Sequence, residues 1–346
     1  MESRGLLCYL VSMETRLSQK QRFLETLLGD GGDRFPFFDL EPADETLDQW
    51  HRQGLPADKS VAEFFDLEEH YSIGLTIRSY PYYHMAPDLL QDPSSFSRHY
   101  DPNTPSRFGR NFIARGKRLN KKGHVMYVDA SGGGLLQMLG VGDWESLKSA
   151  CYALLEEPRR VEDLLERTTD FYCVCLKRVL SKVPVDYAAL YEPIASNRGP
   201  VISPAMFERF AMPGYRKVLH LLEEYQVPLR ILTTTGGNLA PLLPPLIEAG
   251  INGLWISNIM SAGMEYQTLR RTFGPDVALI GGIDSGILHL DEGAMRRKVE
   301  ETVLPLLEAG HYLPCLDDRP RANTRFSQYR LFRRILQEIA AKGRQI

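Results

Sequence analysis

The chain lacks an excess of either charge: over 346 residues its formal net charge is -3. Such a balance gives no support for non-specific nucleic-acid binding, which draws on a clear basic surplus. No long apolar run free of charges is present, so the sequence offers no membrane span. Cysteine is sparse and scattered, at Cys8, Cys151, Cys173, Cys175 and Cys315, without a Cys-x-x-Cys pair. Cys173 and Cys175 stand two apart on a predicted helix and point in different directions, so a zinc site built from them is not expected. Buried free thiols in a reducing compartment account for the set. A Gly-x-Gly-x-x-Gly fingerprint is also missing, since "SGGG" (131–134) lacks the spacing, and this counts against a dinucleotide-binding sheet.

The opening "MESRGLLCYLVS" has a short apolar stretch and no small-residue cleavage site, so it is a poor secretory signal. Met13 is read as the ancestral start, residues 1–12 as an extension, and residues 13–346 as one domain; a cytoplasmic location is expected.

What is present is regular in one half and irregular in the other. Ser18 is a plausible N-cap for "QKQRFLETLLG", and "RFPFFDLE" (34–41) reads as a short aromatic strand. Residues 44–118 are crowded with proline, aspartate and aromatics and read as a lid-like covering of short helices and loops. From residue 124 strands and helices alternate strictly: "HVMYVDA", "YAALYEP", "PLRILTT", "GLWISN", "ALIGGID" and "YLPCLDD" are strands, with helices between them. Alternation of this kind predicts a parallel sheet. About seven strands are visible and an eighth could hide in the irregular part, which suits a (β/α)₈ TIM-type barrel with an irregular N-terminal elaboration; a doubly wound sheet is the runner-up.

In such a barrel the functional residues follow the C-terminal ends of the strands. Those positions hold Asp129, Tyr191 and Glu192, Thr233 to Thr235 with Asn238, Trp255 with Ser257 and Asn258, Asp284, and Asp317, Asp318 and Arg319. Each has a structural alternative. Asn238 can cap a helix, Asp284 can cap or form an Asx-turn, and "LDDRPR" can be a surface salt-bridge turn. Glu192 ends an apolar strand and is the strongest candidate for a working carboxyl.

The set "GPVISPAMFERFAMPGYRKV", "GGNLAPLLPPLIEAGINGLW", "LIGGID" and "AGHYLPCLDD", in this order, resembles the uroporphyrinogen decarboxylase superfamily from about Asp186 to Arg330, and more weakly near the start. The resemblance implies a (β/α)₈ barrel and either decarboxylation of porphyrinogen side chains or methyl transfer between a small methylated compound, a corrinoid protein and a thiol. The zinc-dependent methyltransferases carry His-x-Cys-Gly-Asn where this chain has Thr234, Thr235, Gly236, Gly237 and Asn238. Threonine is a poor zinc ligand and glycine has no side chain, so no metal is expected. The decarboxylases' arginine-rich motif is also missing, as "HRQGLP" (51–56) has one arginine, and the late histidine is matched by an aspartate.

The resemblance therefore implies a divergent, methyltransferase-like member with Glu192, Asp317 and Asp318 as catalytic carboxyls. Thr234, Asn238, Trp255, Asn258, Asp284, Arg319 and Asp129 would bind substrate. Thr234 is expected to face the barrel lumen near Glu192 and Asp318, because it matches the family's histidine. No tightly bound cofactor is expected; a corrinoid would be presented by a partner protein, and a homodimer is allowed. The alternatives are a decarboxylase acting on a porphyrinogen or smaller acid, and a catalytically silent binding barrel.

Overall fold

The computed structural model describes residues 17–77, 93–132, 134–234, 236–257 and 262–343. Its centre is a sheet of seven strands, all parallel: β1 His70–Ser72, β2 Val125–Asp129, β3 Tyr187–Tyr191, β4 Leu229–Thr234, β5 Gly253–Ile256, β6 Ala278–Ile283 and β7 Tyr312–Leu316. They pair in chain order. Parallel strands buried on both faces read as apolar runs, which is why six of the seven were legible in the sequence.

Each face of the sheet has its own core. On the inner face Val125, Tyr187, Leu229, Ile231, Ile280 and Leu313 gather under Phe23 and Leu27 of helix α1, Gln19–Leu28. Ser18 closes the start of α1 with a capping box to Gln21. On the outer face Val128, Leu190, Leu232, Leu254, Leu279 and Leu316 pack against the surrounding helices. Side chains alternate along a strand, so membership of the two cores assigns every strand position to a face.

The helices that matter for the site are α2 Gly134–Met138, α3 Pro158–Leu180, α4 Met212–Glu224 and α5 Phe326–Gly343. Pro158 opens α3, and the helical stretch around Pro213 is divided into Pro204–Phe210 and α4, with Pro213 in the first turn of α4. No helix among the described residues is long and apolar enough to cross a membrane.

Two expectations change. The segment "RFPFFDLE" is irregular and forms no strand ladder. It lies between the sheet's two edges: the Leu316 amide donates to Asp39 Oδ1 at 2.9 Å and the Glu68 amide donates to the Phe37 carbonyl at 2.8 Å. Its place is fixed by side chains, since the buried Asp39 carboxylate also accepts from Tyr329 Oη (2.8 Å) and Arg333 Nη1 (2.7 Å) of α5. Conversely, the stretch 44–118 is more than a covering, because it supplies β1 to the sheet. The extension 1–12, with Cys8, and part of the proposed lid, residues 78–92, lie outside the described residues.

Candidate functional site

The turn after β4 is built by local chemistry. Leu229 and Ile231 belong to the inner core and Leu232 to the outer. Thr233 therefore faces in and Thr234 faces the helical layer, which corrects the expected lumen position of Thr234. Thr234 is buried at 2% exposure, and its hydroxyl donates to the Gly236 carbonyl at 3.1 Å. Gly237 has φ +91°, and a Cβ there would sit 2.3 Å from the Ala195 carbonyl oxygen, so only glycine fits. Asn238 Oδ1 accepts from the Ala240 amide at 3.0 Å and caps the next turn. Among the described residues of this turn none fits zinc, because Thr234 is directed into the helices and Gly236 has no side chain. Among the described residues no three His, Cys, Asp or Glu side chains form a metal-binding group.

Glu192 also leaves the inner face, a second correction of placement. It lies fully buried behind the sheet, where Oε2 accepts from the Leu135 amide of α2 (3.0 Å) and from Tyr215 Oη of α4 (3.0 Å). Oε1 has no hydrogen-bond partner among the described residues. Gly134 makes room for it, since a Cβ there would come within 2.5 Å of Oε1. Burial pushes the Glu192 carboxyl up to about 7, and its two hydrogen bonds pull the other way.

The remaining carboxylates are engaged in the frame. Asp317 is buried and accepts from the Ser285 amide at 2.8 Å, tying the ends of β6 and β7. Asp284 accepts from the Gly286 amide at 2.8 Å and starts a 3-10 turn. Asp318 pairs with Arg321 at 3.1 Å in a surface turn, and Arg319 is exposed beside Ala43 and Glu45. Asp129, on the inner side of β2, accepts from the Ser131 amide and hydroxyl at 3.0 and 3.2 Å. Asn258 and Thr235 lie outside the described residues. The structure thus does not gather the ten expected residues into one site.

What the inner face does gather is aromatic. A cavity of about 420 Å³ is lined by Phe38, His70, Tyr127, Tyr187, Ala189 and Trp255, with Leu40, Glu41, Glu69 and Tyr71 also on its wall. That volume is in the range of small-molecule sites. Phe38 stacks on His70 at 4.2 Å between centroids and meets Trp255 edge-on at 5.3 Å. Tyr127 stacks on Tyr187 at 5.0 Å. Among the described residues no lysine or arginine lines the cavity; Glu41 and Glu69 on its wall are exposed, while Asp39 and Glu68 are buried there in ion pairs with Arg333 and Arg22. Of the expected residues only Trp255 lines it. Phe38, His70, Tyr127 and Tyr187 were missed because they come from separate segments and show no local motif; the aromatic enrichment of "RFPFF" was the one available signal.

A curled parallel sheet with helices behind it and a cavity on its inner face defines an α/β protein of the TIM-barrel type. The chain belongs to the uroporphyrinogen decarboxylase (URO-D) family: the family's model matches residues 136–313, just over half of it. No curated protein matches the chain. The matched region contains Tyr187 and Trp255, and Phe38, His70 and Tyr127 stand before it.

Proposed function

We propose that this chain is a barrel enzyme of the URO-D family that takes a small, neutral or cationic methylated compound into its inner cavity and gives up the methyl group to a carrier. The segment 36–40 would be the closing stave of a (β/α)₈ ring, a placement supported by its hydrogen bonds toward β7 and toward Glu68 just before β1. The observation that carries the ligand reading is the cavity lining among the described residues: the rings of Phe38, Tyr71, Tyr127, Tyr187 and Trp255 with His70, and two exposed carboxylates, with no cation. A porphyrinogen bears several carboxylates, which call for paired arginines. Aromatic faces instead attract methylated cations, by about 2 kcal/mol when desolvated. An onium substrate carries its leaving atom already charged, so it needs no protonation, and no carboxylic acid is required inside the cavity. The acceptor would be a corrinoid on a partner protein.

Titration calorimetry with tetramethylammonium and with citrate tests the ligand class. Tetramethylammonium is expected to bind and citrate not to; citrate binding more tightly would overturn the reading. A second reading, a barrel that binds without turnover, is favoured by the outward placement of Glu192 and Thr234. Loss of methyl from a bound methylammonium in the presence of reduced cobalamin, seen by mass spectrometry, separates the two.

A further inference from the structure

The helix Trp144–Glu156 turns its largest apolar side chains to water. A capping box between Asp143 and Ser146 closes its start. Toward the protein it buries only Ser146, Ala150 and Leu154. Trp144, Leu155 and Tyr152 are left 75%, 68% and 56% exposed. At 3.6 residues per turn, Trp144, Lys148, Cys151, Tyr152 and Leu155 fall at i, i+4, i+7, i+8 and i+11, a single stripe opposite the buried one. Lys148, the one charge among these five, is paired within the helix to Glu145 at 2.6 Å. Cys151 is a half-buried free thiol at the edge of the stripe.

A solvated helix face is normally polar. At these exposures the three large side chains offer roughly 400 Å² of mostly apolar surface, as much as the largest patch on a typical monomer. The flanking charges nearly cancel, with Asp143, Glu145, Glu156 and Glu157 against Lys148, Arg159 and Arg160. An anionic membrane finds no basic surplus to attract there. Two such faces, by contrast, can meet without a net repulsion.

We propose that this stripe is a homodimer interface, on which a second copy of the chain lays its own Trp144–Glu156 helix antiparallel. A two-fold axis between Lys148 and Cys151, at the middle of the stripe, sets Trp144 of each copy against Leu155 of the other, so the surface is complementary to itself. The acidic first turn of each helix, with Asp143 and Glu145, then lies toward Arg159 of the other copy. A stable dimer buries about 800 Å² on each copy. The stripe supplies about half of that as an apolar core, and the charged residues at its ends supply a polar rim. The proposal stands apart from any reading of the cavity ligand.

Light scattering on the full chain over a dilution series tests it. The wild type is expected to be a dimer, and Leu155→Glu and Trp144→Ser are expected to be monomers that keep the wild-type circular dichroism. Both positions face water, so neither change disturbs the core. A short bismaleimide is expected to join two wild-type chains, and Cys151→Ser to abolish the product. Tryptophan emission is expected to move to the blue as concentration rises, and not to move in Trp144→Phe. A monomer at every concentration overturns the proposal. So does a shift of Trp144 emission that needs vesicles of phosphatidylcholine and phosphatidylglycerol, because lipid would then be the occupant. A dimer that survives both substitutions, or that gives no cross-link through Cys151, also overturns it, because the contact would lie on another face.

Discussion

The cavity and the Thr234–Asn238 turn belong to the same sheet and have opposite chemistry. At the turn, the Thr234 hydroxyl and the Asn238 amide oxygen are bonded to nearby backbone, and the glycines allow a conformation that other residues resist. In the cavity, the wall presents the rings of Phe38, His70, Tyr127, Tyr187 and Trp255 beside Leu40 and Ala189. A polar group already bonded to its own chain has little to offer a ligand, whereas aromatic faces open to a cavity can meet one directly. On the proposed reading, recognition belongs to the inner face and the turn to architecture.

The largest expected effect concerns the support of the cavity wall. Asp39 carries three buried hydrogen bonds, including the ion pair to Arg333, and holds the segment that presents Phe38. Asp39→Ala should cost about 3–5 kcal/mol in a urea melt, because it strands a buried guanidinium. A loss as small as that of a surface substitution would break the link between the seam and the cavity.

Glu192 gives the next largest effect and sharpens the comparison by its pH dependence. Its folded pKa of about 7 lies above the ordinary 4.5, so between those values the folded state holds a proton that the unfolded state has lost. Its contribution to stability is therefore full below pH 4.5 and declines as pH rises toward 7, by about 3 kcal/mol in all. Glu192→Gln should flatten that decline and leave tetramethylammonium affinity unchanged, because the carboxyl lies behind the sheet. Melts between pH 4.5 and 8 and one titration check both outcomes.

The smallest effect belongs to the turn. Asn238→Ala should lower stability by about 1 kcal/mol, the usual worth of a cap, without altering any binding constant. A binding loss would return the turn to the site.

Much of the frame was legible in the sequence, because strands buried on both faces announce themselves as apolar runs between helices. The three-residue β1 was too short to stand out, and "RFPFFDLE" forms no ladder because Asp39 and not the backbone anchors it to β7. The face of Thr234 was misjudged for a physical reason. In "LRILTT" both parities are apolar, through Leu229 and Ile231 on one side and Leu232 on the other, so the pattern cannot orient the strand. Glu192 at the end of its apolar strand was correctly marked as unusual, but burial alone does not say toward which face. The cavity was least legible of all. Phe38, His70, Tyr127, Tyr187 and Trp255 meet only through the curl of the sheet, across more than half the chain.

The most direct measurement sets one residue from each region side by side. Tetramethylammonium is titrated into wild-type protein, Trp255→Ala and Thr234→Val, each first shown to be folded by its melt. Trp255→Ala should lose about 2 kcal/mol of affinity, roughly thirtyfold in Kd, and Thr234→Val should match the wild type. The opposite pattern, with Trp255→Ala unchanged and Thr234→Val unable to bind, would contradict the placement of recognition on the inner face.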